Sequence, residues 1–223
     1  MKENLTELVF ILDRSGSMGG LEDDTIGGFN SLIAKQKKEE GQAYVSTVLF
    51  DDRTDVLHNR VSIEEVPPMT DDDYYVRGCT ALLDAVGNAI NYISKAQRFG
   101  GEANRPGKTM FVIMTDGMEN SSVEYTLDDV KRMIARAQEH DHWEFLFLGA
   151  NIDAIGVASS MGISKSRATN FHNDSKGQRL NYEVLGEAVT HIRRTTVMKA
   201  SKGLDDGSWK KRIEEDYIRR KNK

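Results

Sequence analysis

The run Asp13-Arg14-Ser15-Gly16-Ser17 spaces three short oxygen-bearing side chains two residues apart, on a turn loosened by Gly16. A turn of that build aims one carboxylate and two hydroxyls at a single point. Two further pieces carry matching chemistry: Gly78-Cys79-Thr80-Ala81 and Thr115-Asp116-Gly117. If these converge, Asp13 and Asp116 face each other, and two close carboxylates repel unless a cation sits between them. The donor set of Asp13, Ser15, Ser17, Thr80 and Asp116 is all hard oxygen, without His or Cys. Such a set suits Mg²⁺ first, with Mn²⁺ or Ca²⁺ as alternatives, and disfavours Zn²⁺ and Cu²⁺.

Convergence requires strands that end at these positions. Leu8–Leu12, Met110–Met114 and Phe145–Leu148 are continuous apolar runs. Strands apolar on both faces belong to parallel sheets covered by helices. Between them lie stripes at helical spacing: Leu21, Phe29, Leu32 and Ile33; Leu82, Val86, Ile90 and Ile93; Leu127, Val130, Ile134 and Ala137; Leu185, Val189, Ile192 and Thr196. Offsets of three and four place each set on one helix face, where packing against a sheet is the ordinary role. Ala43–Phe50 followed by alternating Thr54–Val61 predicts a hairpin whose second strand is an antiparallel edge with one wet face. The segments 99–107 and 170–178 are expected to be loops. In sum the pattern predicts an α/β, doubly wound, Rossmann-like open sheet, mostly parallel, with helices on both faces. In such sheets ligands bind beyond the carboxyl ends of the strands, where Asp13 and Asp116 fall.

The three pieces together resemble the von Willebrand factor A domain family. Its metal-ion-dependent adhesion site has the pattern Asp-x-Ser-x-Ser, a distant Thr and a distant Asp. The match is Asp13-Arg14-Ser15-Gly16-Ser17, Thr80 within Gly-Cys-Thr-Ala-Leu, and Asp116 within Thr-Asp-Gly, in family order, and the resemblance spans residues 5–200. It implies a six-stranded sheet, with Ser15, Ser17 and Thr80 touching the metal and Asp13 and Asp116 acting mostly through waters. It implies a non-enzymatic protein-binding module, in which a partner's Asp or Glu completes the coordination of the ion. Free-standing relatives suggest a bacterial or phage origin, and an AAA+ ATPase or a stress or metal-resistance complex as partner. The division expected is a domain over residues 1–203 and a charged extension over 204–223.

Other readings compete. A metal-dependent hydrolase of the phosphatase type would use the same strand end, but its second Asp, two residues after the first, is Ser15 here. A serine-hydrolase elbow lacks its first glycine around Ser17, and no phosphate-binding glycine loop is present. The Asp13 cluster also suits a helix cap, and Thr80 suits the cap of its own helix. Glu22-Asp23-Asp24 and Asp71-Asp72-Asp73 read as acids at helix starts rather than metal sites. Cys79 reads as a small buried hydrophobe, the five histidines as surface or loop residues, and Gly27-Gly28 as a point of close helix packing.

A net charge of −5 and a pI near 5.6 argue against a nucleic-acid partner. With one cysteine no intrachain disulfide forms. No run approaches the roughly 20 apolar residues of a membrane helix, and none forms a signal peptide. A cytoplasmic monomer is the expectation. Residues 207–223 hold seven Lys or Arg against three acids and read as a polar surface helix or a frayed tail.

Overall fold

The computed structural model describes residues 2–221. The chain runs β1 (Lys2–Asp13), α1 (Glu22–Gln36), β2 (Gln42–Phe50), β3 (Thr54–Ser62), α2 (Leu82–Phe99), β4 (Pro106–Thr115), α3 (Leu127–Asp141), β5 (Glu144–Ala150), α4 (Ala154–Ser160), β6 (Ala168–Phe171), α5 (Ser175–Arg194), α6 (Val197–Asp205) and α7 (Lys211–Lys221). One six-stranded sheet has the order β3-β2-β1-β4-β5-β6. Only β3 is antiparallel, paired to β2 at the edge.

The alternation along β1 explains the layers. Leu8, Phe10 and Leu12 pack with Phe29, Leu32 and Ile33 of α1 and with Leu185 and Val189 of α5. Val9 and Ile11 pack on the other face with Val86 and Ile90 of α2 and Val130 and Ile134 of α3. All five β1 residues are at most 1% exposed, so each contributes roughly 1.5–3 kcal/mol of burial. With both faces covered, the carboxyl ends of β1 and β4 are left open to form a site. Leu12 pairs with Met114 in register, which sets Asp13 beside Thr115 and Asp116.

Several local expectations are corrected. The loops at 99–107 and 170–178 are shorter than expected: α2 runs to Phe99, β4 starts at Pro106, and β6 occupies Ala168–Phe171, four residues too few to show periodicity. Asp71–Asp73 form a single turn, not a helix start. Asp73 accepts from the backbone N–H of Thr70 at 2.9 Å, and the chain then sinks to bury Tyr74. The clean alternation of β3 fails because it bulges against β2: Val48 faces Val56 and Thr47 faces His58, leaving Leu57 as the extra residue. The bulge turns His58 inward, where it stacks on Phe29 at 5.9 Å and meets the Thr47 hydroxyl at 2.9 Å. His58 is therefore a buried residue, not a surface one. Cys79 is exposed instead of buried, because the chain turns at Gly78 and spends its inward position on Thr80. Leu127, the head of the third stripe, is 40% exposed, and Thr196 lies past the end of α5.

The charged segment is a docked helix. In α7, Ile213 joins the core shared by α1 and α5, and Asp216 is buried. Residues 222 and 223 lie outside the described residues.

The glycine pair in α1 divides in role. A Cβ on Gly28 would stand 2.1 Å from the Tyr182 ring of α5, whereas one on Gly27 meets nothing within 4 Å. Close packing thus accounts for Gly28 alone. Gly28→Ala is expected to destabilise by about 1–3 kcal/mol through overpacking, and Gly27→Ala to stabilise by up to about 1 kcal/mol. Urea unfolding of the two variants checks this opposite pair of signs.

Candidate metal centre

In a sheet of order 3-2-1-4-5-6 the direction of winding reverses between β1 and β4, which opens a crevice at their carboxyl ends. The five predicted residues meet there. Asp13, the last residue of β1, has both oxygens engaged: Oδ1 accepts from the Ser15 backbone N–H at 2.7 Å and Oδ2 from the Thr115 hydroxyl at 2.6 Å. Its carbonyl accepts from the Tyr74 hydroxyl. The Ser15 and Ser17 hydroxyls lie 3.0 Å apart, and Ser17 Oγ donates to Asp116 Oδ1 at 2.5 Å. The Gly16 N–H donates to the Gly78 carbonyl at 3.3 Å, which draws in the loop that carries Thr80.

Thr80 is fixed by a reciprocal pair. Its N–H donates to Asn120 Oδ1 at 2.9 Å, and the Asn120 N–H returns to its carbonyl at 3.0 Å. Thr80 does not cap α2, whose N-cap is Ala81. The first N–H groups of that helix are met by Glu119 Oε2 at 2.9 Å and Ser122 Oγ at 3.1 Å. Gly117 shows where the Thr80 side chain points. A Cβ there would stand 2.6 Å from Thr80 Oγ1 and 3.5 Å from Ser17 Oγ. The glycine keeps open a cradle on which two hydroxyls converge. Asp13, Ser15, Thr80 and Asp116 are buried, while Ser17 is exposed and marks the mouth.

Charge at the site is unbalanced. Burial, followed by the charge of Asp13, pushes Asp116 up to about 6 against the hydrogen bond from Ser17. Burial also raises Asp13, against the bonds from Thr115 and Ser15. Among the described residues no Lys or Arg pairs with either acid. Arg14, next in sequence to Asp13, turns away to Asp51 at 2.8 Å and to Asp55. Two buried carboxylates, three hydroxyls and no basic neighbour fit a hard divalent cation. No cluster of three or more His, Cys, Asp or Glu stands together among the described residues, so this site draws on hydroxyls as much as on acids.

Other acids on these loops have structural duties. Glu22 accepts from the Gly20 N–H at 2.7 Å, Glu124 binds Asn88 at 2.8 Å, and Asp23 and Asp24 sit in the first turn of α1. Two further residues hold the acids in place, and of these only Thr115 lies within a motif. Thr115 orients Asp13, and Asn173 Nδ2 donates to Asp116 Oδ2 at 2.5 Å. Asn173 lies in the β6–α5 connection, 57 residues from its partner, so no spacing rule reaches it.

Solved structures share this architecture. Proximal thread matrix protein 1 from the mussel byssus matches with a TM-score of 0.56 and 13% identity, over 83% of this chain and 46% of that one. One form of that protein has a zinc-occupied MIDAS motif. A von Willebrand factor type A protein from Catenulispora acidiphila matches at 0.52 and 13% identity, over 83% and 42%. The fold is that of a von Willebrand factor A domain. The pilus adhesin SpaC from Lactobacillus rhamnosus GG, in its open conformation, matches at 0.63 and 10% identity, over 86% of this chain and 30% of that one. The chain thus spans less than half the length of these relatives. No protein-family model matches the chain. No curated protein matches it either.

The pH dependence follows from Asp116. Its folded-state value lies above that of the unfolded chain, so its charged form costs stability, increasingly as pH rises from about 4 to about 6 and fully above that. Asp116→Asn is expected to raise metal-free stability at pH 7.5 by about 1–3 kcal/mol and to abolish stabilisation by Mg²⁺. Wild-type affinity for Mn²⁺ should fall about fivefold between pH 6 and pH 5, as a proton competes with the cation for Asp116. Denaturant titrations with and without metal at pH 5, 6 and 7.5 read both effects.

Proposed function

We propose that this chain is a metal-dependent protein-binding module whose divalent cation, Mg²⁺ by preference, takes an Asp or Glu side chain from a partner. The observation that carries the reading is the paired burial of Asp13 and Asp116 beside three hydroxyls, with no basic side chain among the described residues to neutralise them. Ser15, Ser17 and Thr80 would hold the ion. Asp13 and Asp116, each already tied by hydrogen bonds, would orient and charge-balance it. A site so poor in direct carboxylates leaves the ion electron-poor, and the exposed Ser17 leaves one side open for an incoming carboxylate.

The mussel protein's zinc-occupied motif supports a divalent cation here without selecting Mg²⁺. It also weakens the argument from donor hardness against Zn²⁺. Among partners, AAA+ ATPases and stress or metal-resistance complexes are the first to test, in the cytoplasm of a bacterial or phage-infected host. The acidic net charge of the chain disfavours nucleic acid, and no described helix is long and apolar enough to cross a membrane.

Wild-type protein is expected to gain about 2.7 kcal/mol of stability at a hundredfold excess of Mg²⁺ over its Kd, and Ser17→Ala and Thr80→Ala to gain far less. On an array of peptides, binding in Mg²⁺ should follow Asp- or Glu-bearing sequences and vanish in EDTA. Peptide binding that ignores EDTA, or phosphatase or esterase turnover that needs Mg²⁺ and Asp13, would turn the reading toward a different class.

A further inference from the structure

At the amino edge of the sheet, where β4 and β5 begin, α2 and α3 leave a groove of about 470 Å³ between them. This is the end of the molecule opposite the metal centre. Four cations line it, Lys95, Arg98, Arg105 and Arg136, against one acid, Asp141, which pairs with Arg105. Among the described residues no carboxylate pairs with Lys95, Arg98 or Arg136, although most arginines of this acidic chain hold one. A cation in the last turn of a helix meets the helix dipole, which accounts for Arg98 in α2. Lys95 and Arg136 stand before the last turns of α2 and α3, so the dipole does not account for them.

The floor of the groove is apolar, with Ile90, Ala137 and Trp143 each 3% exposed. Gln97 also lines it. That side chain is buried, its Nε2 donates to the Thr109 hydroxyl at 2.9 Å, and its Oε1 has no partner among the described residues. Next to Arg98, at the end of α2, Phe99 is 78% exposed, with the guanidinium 5.7 Å from the ring centre. An aromatic ring left in solvent beside unpaired cations is the arrangement on which a base stacks while its phosphates meet the charges. Small-molecule pockets run from roughly 300 to 1,000 Å³, so a groove of this size takes one nucleotide and not a strand.

We propose that the groove between α2 and α3 is a second binding site, separate from the metal centre, for a nucleoside diphosphate or a molecule of that chemistry. Lys95, Arg98 and Arg136 hold the phosphates, the ring lies against Phe99 and the apolar floor, and Gln97 Oε1 accepts from an amino group of the ligand. Side chains alone hold the phosphates, so the site needs no glycine loop. It is independent of the metal-binding reading given above, because none of its residues belongs to the strand-end loops that carry Asp13, Thr80 and Asp116.

The test is calorimetric titration of ADP, adenosine and inorganic pyrophosphate into the full chain in EDTA, with wild type, R98A/R136A, F99A and D13N. Arg98, Phe99 and Arg136 are exposed, so the first two variants are expected to melt as wild type does. ADP should bind wild type at one site, and adenosine and pyrophosphate each about tenfold more weakly or less. R98A/R136A should weaken ADP about tenfold or more through lost charge-assisted hydrogen bonds, and F99A about fivefold or more through lost stacking. D13N should bind ADP as wild type does. Wild type that takes up no ADP at millimolar concentration, or ADP binding that R98A/R136A leaves unchanged or that D13N abolishes, overturns the site. Pyrophosphate that binds as tightly as ADP, with F99A unchanged, overturns the assignment to a nucleoside phosphate. None of these outcomes bears on whether the strand-end site binds Mg²⁺.

Discussion

Two carboxylates that would repel are held side by side at the point where the sheet reverses its winding, and the surrounding loops are arranged around that fact. Asp13 spends both oxygens on neighbours, and Asp116 divides its pair between Ser17 and Asn173. Neither acid receives a basic partner among the described residues. Proteins of this size are stable by only about 5–15 kcal/mol, so an uncompensated pair of buried charges is a large fraction of the total. A divalent cation would remove that cost, and only in the folded state, where the two strand ends are adjacent.

The loops reach the site through backbone as much as through side chains. Gly16 bonds the Gly78 loop, Asn120 pairs with Thr80, and Glu119 and Ser122 start α2 from outside it. Asp84, near the start of α2, accepts from the N–H groups of Val123, Glu124 and Tyr125 at 2.8–2.9 Å. The third loop is thereby laced to the second. At the opposite end of the sheet, Lys108 Nζ donates to the carbonyls of Arg193 and Thr195 at 2.7 and 2.9 Å, and Arg193 reaches the Gly41 carbonyl at 2.8 Å. These bonds tie the carboxyl end of α5 to the sheet, while its amino end carries the loop that holds Asp116. Helix α5 is thus pinned at both ends.

The sequence displayed the parts that obey a period or a motif. Leu8–Leu12 and Met110–Met114 read as buried strands because both faces are covered; Asp13, Ser15, Ser17 and Asp116 stand out because short oxygen side chains follow strand ends, and Thr80 because it completes their pattern. What periodicity cannot carry was missed. The bulge at Leu57 reverses the faces of β3 and buries His58. Strand β6 is too short to show alternation. The docking of α7 depends on Ile213 and Asp216 within a stretch dominated by charge, where composition hides one apolar contact. Asn173 and Thr115 act through single hydrogen bonds to the two acids, which only the fold brings within reach.

The central claim is that the acid pair is built for one divalent ion. Titration of Mn²⁺ into EDTA-stripped protein, with free Mn²⁺ followed by electron paramagnetic resonance, tests it most directly. The account predicts one bound Mn²⁺ per chain, displaced by Mg²⁺ and lost in Asp13→Asn. A free-Mn²⁺ signal that rises without lag, or bound Mn²⁺ that survives Asp13→Asn unchanged, would contradict it.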